Sequence, residues 1–128
     1  MADAPVVEMV DLHKRYGATE ALRGLTLQVP AGSIFGFLGR NGAGKTTTIK
    51  ILLGMVRPSA GRATVFGQAA DDATGSVAIR RRTAFVSDEK DLYDSMTVAE
   101  MIRFTAGFFP RWRDDLEQRY LRRFELPP

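Results

Sequence analysis

The residues best placed to do chemistry form one run, Gly39-Arg40-Asn41-Gly42-Ala43-Gly44-Lys45-Thr46. They fit G-x-x-x-x-G-K-[ST], the pattern of a phosphate-binding loop. Glycines let the backbone curl without Cβ clashes, so successive N–H groups converge on phosphate oxygens. A helix starting near Lys45 adds the positive end of its dipole. In that geometry the Lys45 ammonium reaches the β- and γ-phosphates of a nucleotide. The Thr46 hydroxyl binds Mg²⁺, and Thr47 adds a further hydroxyl to the phosphate cluster. Glycine supplies about 7% of ordinary sequences, so a chance match in a chain this long is on the order of 1%.

The elements around the loop must hold it still. Residues 33–38 form a continuous apolar run and read as a strand buried on both faces, as in a parallel sheet. Residues 45–55 follow with Ile49, Leu52 and Leu53 at helical spacing. Upstream, residues 6–10 and 22–29 read as strands, the second closed by Pro30-Ala31-Gly32. Downstream, residues 62–66 read as a strand, 71–75 as a loop, 76–82 as a short helix and 83–86 as a short strand. Thr97 and Glu100 have capping-box spacing, and a helix over 98–109 follows, stopped by Pro110. Residues 114–124 read as a last helix, with Asp114 and Asp115 suited to its N-terminus.

Composition narrows the class. The 128 residues are 45% hydrophobic and 26% charged, which excludes a collagen, a coiled-coil rod and a disordered tail. There is no cysteine, so disulfides, zinc–thiolate centres and thiol nucleophiles are excluded. No apolar stretch approaches the roughly 20 residues a membrane-spanning helix needs, and the first ten residues do not read as a secretory signal. Net charge is +3, from 18 basic and 15 acidic residues. That excess suits a solvated surface, or a polyanion partner such as a nucleotide, nucleic acid or anionic lipid. His13, Trp112 and Arg80-Arg81-Arg82 read as structural or solvated residues.

With its neighbours, the loop resembles the N-terminal part of an ATP-binding-cassette (ABC) ATPase, the nucleotide-binding subunit of an ABC transporter. The blocks that carry the resemblance are Lys14-Arg15-Tyr16-Gly17; residues 21–27 through Pro30-Ala31-Gly32; residues 37–47; and Asp91-Leu92-Tyr93 with Met96-Thr97-Val98-Ala99-Glu100. The run 54–61 followed by Val65-Phe66-Gly67 has the same look. Residues 87–100 are most similar to bacterial exporter-type members. The resemblance implies an α/β P-loop NTPase fold: an ABC-type ATPase core with an N-terminal antiparallel β subdomain and the start of a helical subdomain, incomplete as a domain. Residues 1–93 would be the β subdomain and P-loop core, and 94–128 the start of the helical subdomain.

It also implies site residues. ATP would be held by Tyr16, Gly39, Arg40, Asn41, Gly42, Ala43, Gly44, Lys45, Thr46 and Thr47, with Tyr16 stacking on adenine. The ordinary alternative for Tyr16 is a half-buried strand tyrosine. Mg²⁺ would be held by Thr46 and by Asp88, which stands where the family carries a glutamine that contacts the metal and the attacking water. A carboxylate about 4 Å from a phosphate charge is repelled by about 4 kcal/mol at an effective dielectric near 20, and an intervening Mg²⁺ reverses the sign. Asp88 therefore either meets the metal or its water, or is a solvated loop acid. The implied partners are a membrane permease subunit and a second nucleotide-binding domain in a homodimer or heterodimer, with no nucleic acid. The implied location is cytoplasmic, peripheral to the inner face of the cell membrane.

Three of the family's parts, which belong after the last of these blocks, do not occur in residues 101–128: an apolar strand ending in Asp-Glu, the L-S-G-G-Q signature, and the switch histidine. The expectation is ATP·Mg binding with negligible hydrolysis by this chain, because positioning is most of phosphoryl-transfer catalysis. A further expectation is an apolar edge at residues 34–38 that promotes association. Two alternatives remain: a soluble ABC ATPase acting on nucleic acid or in translation, and a truncated nucleotide-binding fragment without activity.

Overall fold

A computed structural model describes residues 4–88 and 92–126. Glu89 and Asp91 of the motif region lie outside the described residues. The chain divides into two compact units, Met1–Phe85 and Val86–Pro128.

The first unit is built on a four-stranded antiparallel sheet. Its strands are β1 (Val7–Tyr16), β2 (Thr19–Val29), β3 (Ala60–Val65) and β4 (Gln68–Ala69), in the spatial order β2-β1-β3-β4. Two helices, α1 (Lys45–Leu52) and α2 (Ala73–Arg80), pack on it. Met9, Leu12, Leu22, Ala63 and Val65 from the sheet bury against Ile51 of α1 and Ile79 of α2. Each fully buried aliphatic side chain contributes about 1.5–3 kcal/mol.

The first two strands run longer than their apolar residues suggest. Asp11, with φ 47°, interrupts the alternation of β1 as a bulge, and both of its ladders shift register there. The Asp11 N–H donates to Thr26 Oγ1 at 2.9 Å, and His13 Nε2 lies 3.0 Å from Asp11 Oδ1. His13 thus serves the bulge, a structural role. Past it, β1 continues through charged residues to the turn at Gly17 (φ 57°), where Tyr16 pairs with Thr19.

Two expected strands do not form. Residues 33–38 are irregular, with Ile34 and Leu38 almost wholly exposed at 106% and 92%. A strand exists only when a neighbour takes its ladder hydrogen bonds, and among the described residues none pairs with this run. Residues 83–86 are likewise irregular, with Val86 exposed, for the same reason. The parallel sheet expected there is therefore replaced by antiparallel pairing alone among the described residues.

Helix boundaries moved less. Helix α1 stops at Leu52 because Gly54 turns the chain with φ 67°. Helix α2 starts inside the expected loop, because the Asp72 carboxylate accepts the Gly75 N–H at 2.8 Å and caps it. The arginines that follow are not simply solvated. Arg80 donates to Leu53 O at 3.1 Å, and the Arg82 guanidinium lies 3.9 Å from the Phe66 ring centroid.

The second unit carries α3 (Val98–Ala106) and α4 (Asp114–Arg123). Thr97 and Glu100 form a full capping box: the Thr97 N–H donates to Glu100 Oε2 at 2.8 Å and the Glu100 N–H to Thr97 Oγ1 at 3.2 Å. Helix α4 opens with Asp114, Asp115 and Glu117 in its first turn, as its dipole favours. Arg113 grips Asp115 through two hydrogen bonds of 2.7 and 2.6 Å. Trp112 donates its indole N–H to Glu117 Oε2 at 2.6 Å.

These starts make the helices acid-sensitive. Hydrogen bonds from Thr97 hold the Glu100 carboxyl below its ordinary range. Hydrogen bonding from Arg113 holds Asp115 down to about 2. A lowered folded pKa gives stabilisation that is present above the ordinary carboxylate range, roughly 4, and is lost as pH falls through the folded value. Far-UV circular dichroism should therefore show helix loss beginning below about pH 4 and extending to about pH 2. In Thr97→Ala, which also loses about 1 kcal/mol of capping, the loss should begin from a lower helical content at neutral pH. A helical signal flat from pH 5 to 2 would show that these contacts do not support α3 and α4.

Candidate phosphate-binding site

The loop at residues 39–44 enters α1 through Gly44, whose φ of 91° is left-handed. Gly42 also has a positive φ, 82°. A Cβ on Gly44 would lie 2.5 Å from Ala21 O and 2.7 Å from Leu22 Cδ2. The close approach of the loop to β2 therefore requires glycine there. On the core side Thr48 is buried, and its hydroxyl donates to Gly44 O at 2.8 Å. With Ile51 buried one turn on, this anchors α1 and leaves Thr46 exposed and Thr47 partly exposed.

The start of α1 differs from the other helix starts. Helix α2 is capped by Asp72, α3 by Thr97 and Glu100, and α4 carries three acids in its first turn. Helix α1 has no side-chain cap and no acid in its first turn. Its first helical bond is Thr48 N–H to Gly44 O, at 2.9 Å. The N–H groups of Gly44, Lys45, Thr46 and Thr47 precede that bond, so no carbonyl one turn earlier takes them. Donors without an intrahelical partner and the positive end of a dipole suit this helix start to an anion.

Lys45 completes it. Its ammonium turns back over the loop and donates to Gly39 O, and to Arg40 O at 3.0 Å. An open cavity of about 530 Å³ adjoins the loop, lined by Leu22, Arg23, Phe37, Gly42, Ala43 and Lys45 among others. Its volume lies in the range of small-molecule sites. Tyr16 is outside that lining, but its ladder partner Thr19 directly precedes Glu20, which belongs to it. Tyr16 is half-exposed, and the Lys14 ammonium sits 4.9 Å from its ring centroid. Lys14 belongs to the block Lys14-Arg15-Tyr16-Gly17, but the sequence assigns it no role of its own; its one signal is a cation two residues before an aromatic on a strand. Asp88 is exposed and belongs to the second unit, whereas the loop belongs to the first.

The donor set suits a nucleotide with Mg²⁺. Among the described residues, no three His, Cys, Asp or Glu side chains cluster where they could hold a metal by themselves. Mg²⁺ commonly needs only one or two protein oxygens when phosphates supply others, and the exposed Thr46 hydroxyl is such an oxygen.

The profile of the ABC transporter family matches residues 22–127. The chain belongs to this family. Among ABC relatives, it is 37% identical over 101 residues to the bacitracin transport ATP-binding protein BcrA of Bacillus licheniformis, spanning 79% of this chain and 32% of that protein. It is 41% identical over 100 residues to the ribose import ATP-binding protein RbsA of Pseudomonas putida, spanning 78% of this chain and 20% of that protein. The chain thus spans a third or less of these relatives' length. A solved ATP-binding subunit of an ABC transporter superposes with a TM-score of 0.79 at 31% identity, covering 94% of this chain and 51% of that one. The antiparallel sheet with its loop and helices is therefore the ABC ATPase fold over the part this chain contains. Among the described residues, no helix is long and apolar enough to cross a membrane.

Proposed function

We propose that this chain binds ATP with Mg²⁺ as the loop-bearing part of an ABC transporter's nucleotide-binding subunit. The observation that carries this reading is the start of α1, which alone among the helices of the described residues lacks both a capping side chain and acids in its first turn. Lys45 exchanges its two loop carbonyls for β- and γ-phosphate oxygens, and its fixed charge draws the polyphosphate in. Residues Gly39, Arg40, Asn41, Gly42 and Gly44 present backbone N–H groups, Ala43 adds its own by exchanging Arg40 O for a phosphate oxygen, and the Thr47 hydroxyl adds to them. Tyr16 takes the adenine ring by stacking. Thr46 holds Mg²⁺, with Asp88 meeting the metal or its water. Mg²⁺, when bound, neutralises phosphate charge.

In the whole protein, this binding drives transport through a membrane permease subunit and a second nucleotide-binding domain, at the inner face of the membrane. The names of BcrA and RbsA, one for bacitracin transport and one for ribose import, support transport without choosing a substrate or direction. By itself the chain binds ATP without hydrolysing it, since residues 101–128 hold no apolar run ending in Asp-Glu.

Calorimetric titration of the chain with ATP, with and without Mg²⁺, tests this. Saturable binding that Mg²⁺ strengthens, without phosphate release, is the expected result; no binding would overturn the proposal. In Asp88→Asn the gain from Mg²⁺ should shrink. An unchanged gain would remove Asp88 from the site.

A further inference from the structure

Lys14 makes two contacts at once, and together they fix the end of β1. Its ammonium donates to Arg57 O at 2.7 Å and lies 4.9 Å from the centroid of the Tyr16 ring. Around it the strand end is stitched to the segment that follows α1. The Ser59 N–H donates to His13 O at 2.8 Å, and the Arg15 N–H to Ser59 Oγ at 3.0 Å. Lys14 is therefore no free surface lysine. A backbone carbonyl holds it at one side of the ring.

This arrangement acts on Tyr16. The tyrosine is half-exposed next to a tight turn, and among the described residues its one aromatic or cation contact is with this ammonium. An exposed ring with no contact turns among its rotamers, and a base that stacks on it must immobilise it first. A held cation on one side limits that freedom before any ligand arrives, and it directs a flat partner to the other side. We infer that Lys14 is a positioning residue for nucleobase recognition, holding the Tyr16 ring with one face open to adenine. This rests on the reading of Tyr16 as the adenine-stacking residue.

The role differs from that of a phosphate-binding lysine, and the probe can separate the two. Magnesium tripolyphosphate has the charge and the phosphates but no base. The full chain should bind ATP·Mg more tightly than magnesium tripolyphosphate, and Tyr16→Ala should reduce that preference. Lys14→Ala should weaken ATP·Mg by roughly three- to ten-fold, the scale of a surface cation–ring contact together with one immobilised ring. Tripolyphosphate affinity should not change. Lys14→Arg should restore ATP affinity, since guanidinium both stacks on a ring and donates to a carbonyl. In the Tyr16→Ala background, Lys14→Ala should cause no further loss.

Equal losses for both ligands would overturn the inference, because Lys14 would then be acting on phosphates or on the fold. No loss for either would also overturn it. If the wild-type chain binds both ligands alike, and Tyr16→Ala changes neither, the stacking role of Tyr16 is wrong and the role of Lys14 falls with it. Phosphate binding at the loop would stand in that case.

Discussion

Lys45→Ala should weaken ATP·Mg binding by at least 10- to 100-fold while leaving the fold intact. The magnitude follows from what the ammonium does. A hydrogen bond to a charged group contributes about 1.5–3 kcal/mol, and the backbone N–H groups of the loop cannot replace a full positive charge. The fold survives because Lys45 donates to Gly39 O and Arg40 O, on an exposed loop where water can replace it. The thermal midpoint should therefore move by no more than a surface substitution, within about 0.5 kcal/mol. Lys45→Arg should recover little, because a bulky planar guanidinium cannot take the place of a compact ammonium in the same turn over the loop. Calorimetry in rising salt adds a second readout: wild-type affinity should fall with salt, and that dependence should be weaker in Lys45→Ala. Wild-type affinity in Lys45→Ala would remove the loop from the binding reaction.

The loop and its helix were legible because their residues have few alternative uses. Three glycines, a lysine and hydroxyls at fixed offsets between an apolar run and a helical pattern can hardly serve another geometry. The capping box at Thr97 was legible for the same reason, since its two hydrogen bonds are local and need no tertiary partner. The runs at 33–38 and 83–86 failed for the opposite reason. Apolar composition records that a segment favours burial, but not which strand will pair with it. Ile34 and Leu38 find no such partner among the described residues. The charged ends of β1 and β2 failed in the other direction. Lys14 and Arg15 break the apolar alternation, yet ladder pairing with Leu22 and Glu20 carries the strand through them. Asp72 reads as a loop residue until its side chain is seen to cap α2. What was least legible at the candidate site is the hold on Tyr16, because Arg57 lies 43 residues from Lys14 and contributes only its backbone carbonyl.

The bare start of α1 gains meaning from this contrast. Evolution of a helix for stability alone would favour a cap such as Asp72 or Thr97, worth about 0.5–2 kcal/mol. At α1 that position is Gly44, and two independent requirements fix it. Its left-handed φ turns the loop into α1, and its missing Cβ lets β2 come close. An Asp or Ser there would use the amides that an anion needs.

Gly44→Ala should therefore damage stability and binding together. A left-handed alanine costs about 1–2 kcal/mol, and forcing a methyl into a filled space adds about 1–3 kcal/mol. The atoms in the way are the Ala21 carbonyl oxygen at 2.5 Å and Leu22 Cδ2 at 2.7 Å, and the first is backbone within a paired strand. Relief must come from the loop, so the N–H groups turn and the phosphate cradle opens. Against a total stability of roughly 5–15 kcal/mol for a domain, the first unit would lose a substantial part. Gly42→Ala isolates the two causes. Gly42 has a similar φ, 82°, but nothing within 4 Å of an added Cβ. It should show only the conformational cost, about 1–2 kcal/mol. Urea unfolding of both variants, with ATP titration of each, gives the comparison. Equal midpoints for the two would mean that β2 yields to the methyl, and that the loop does not depend on contact with β2 for its shape.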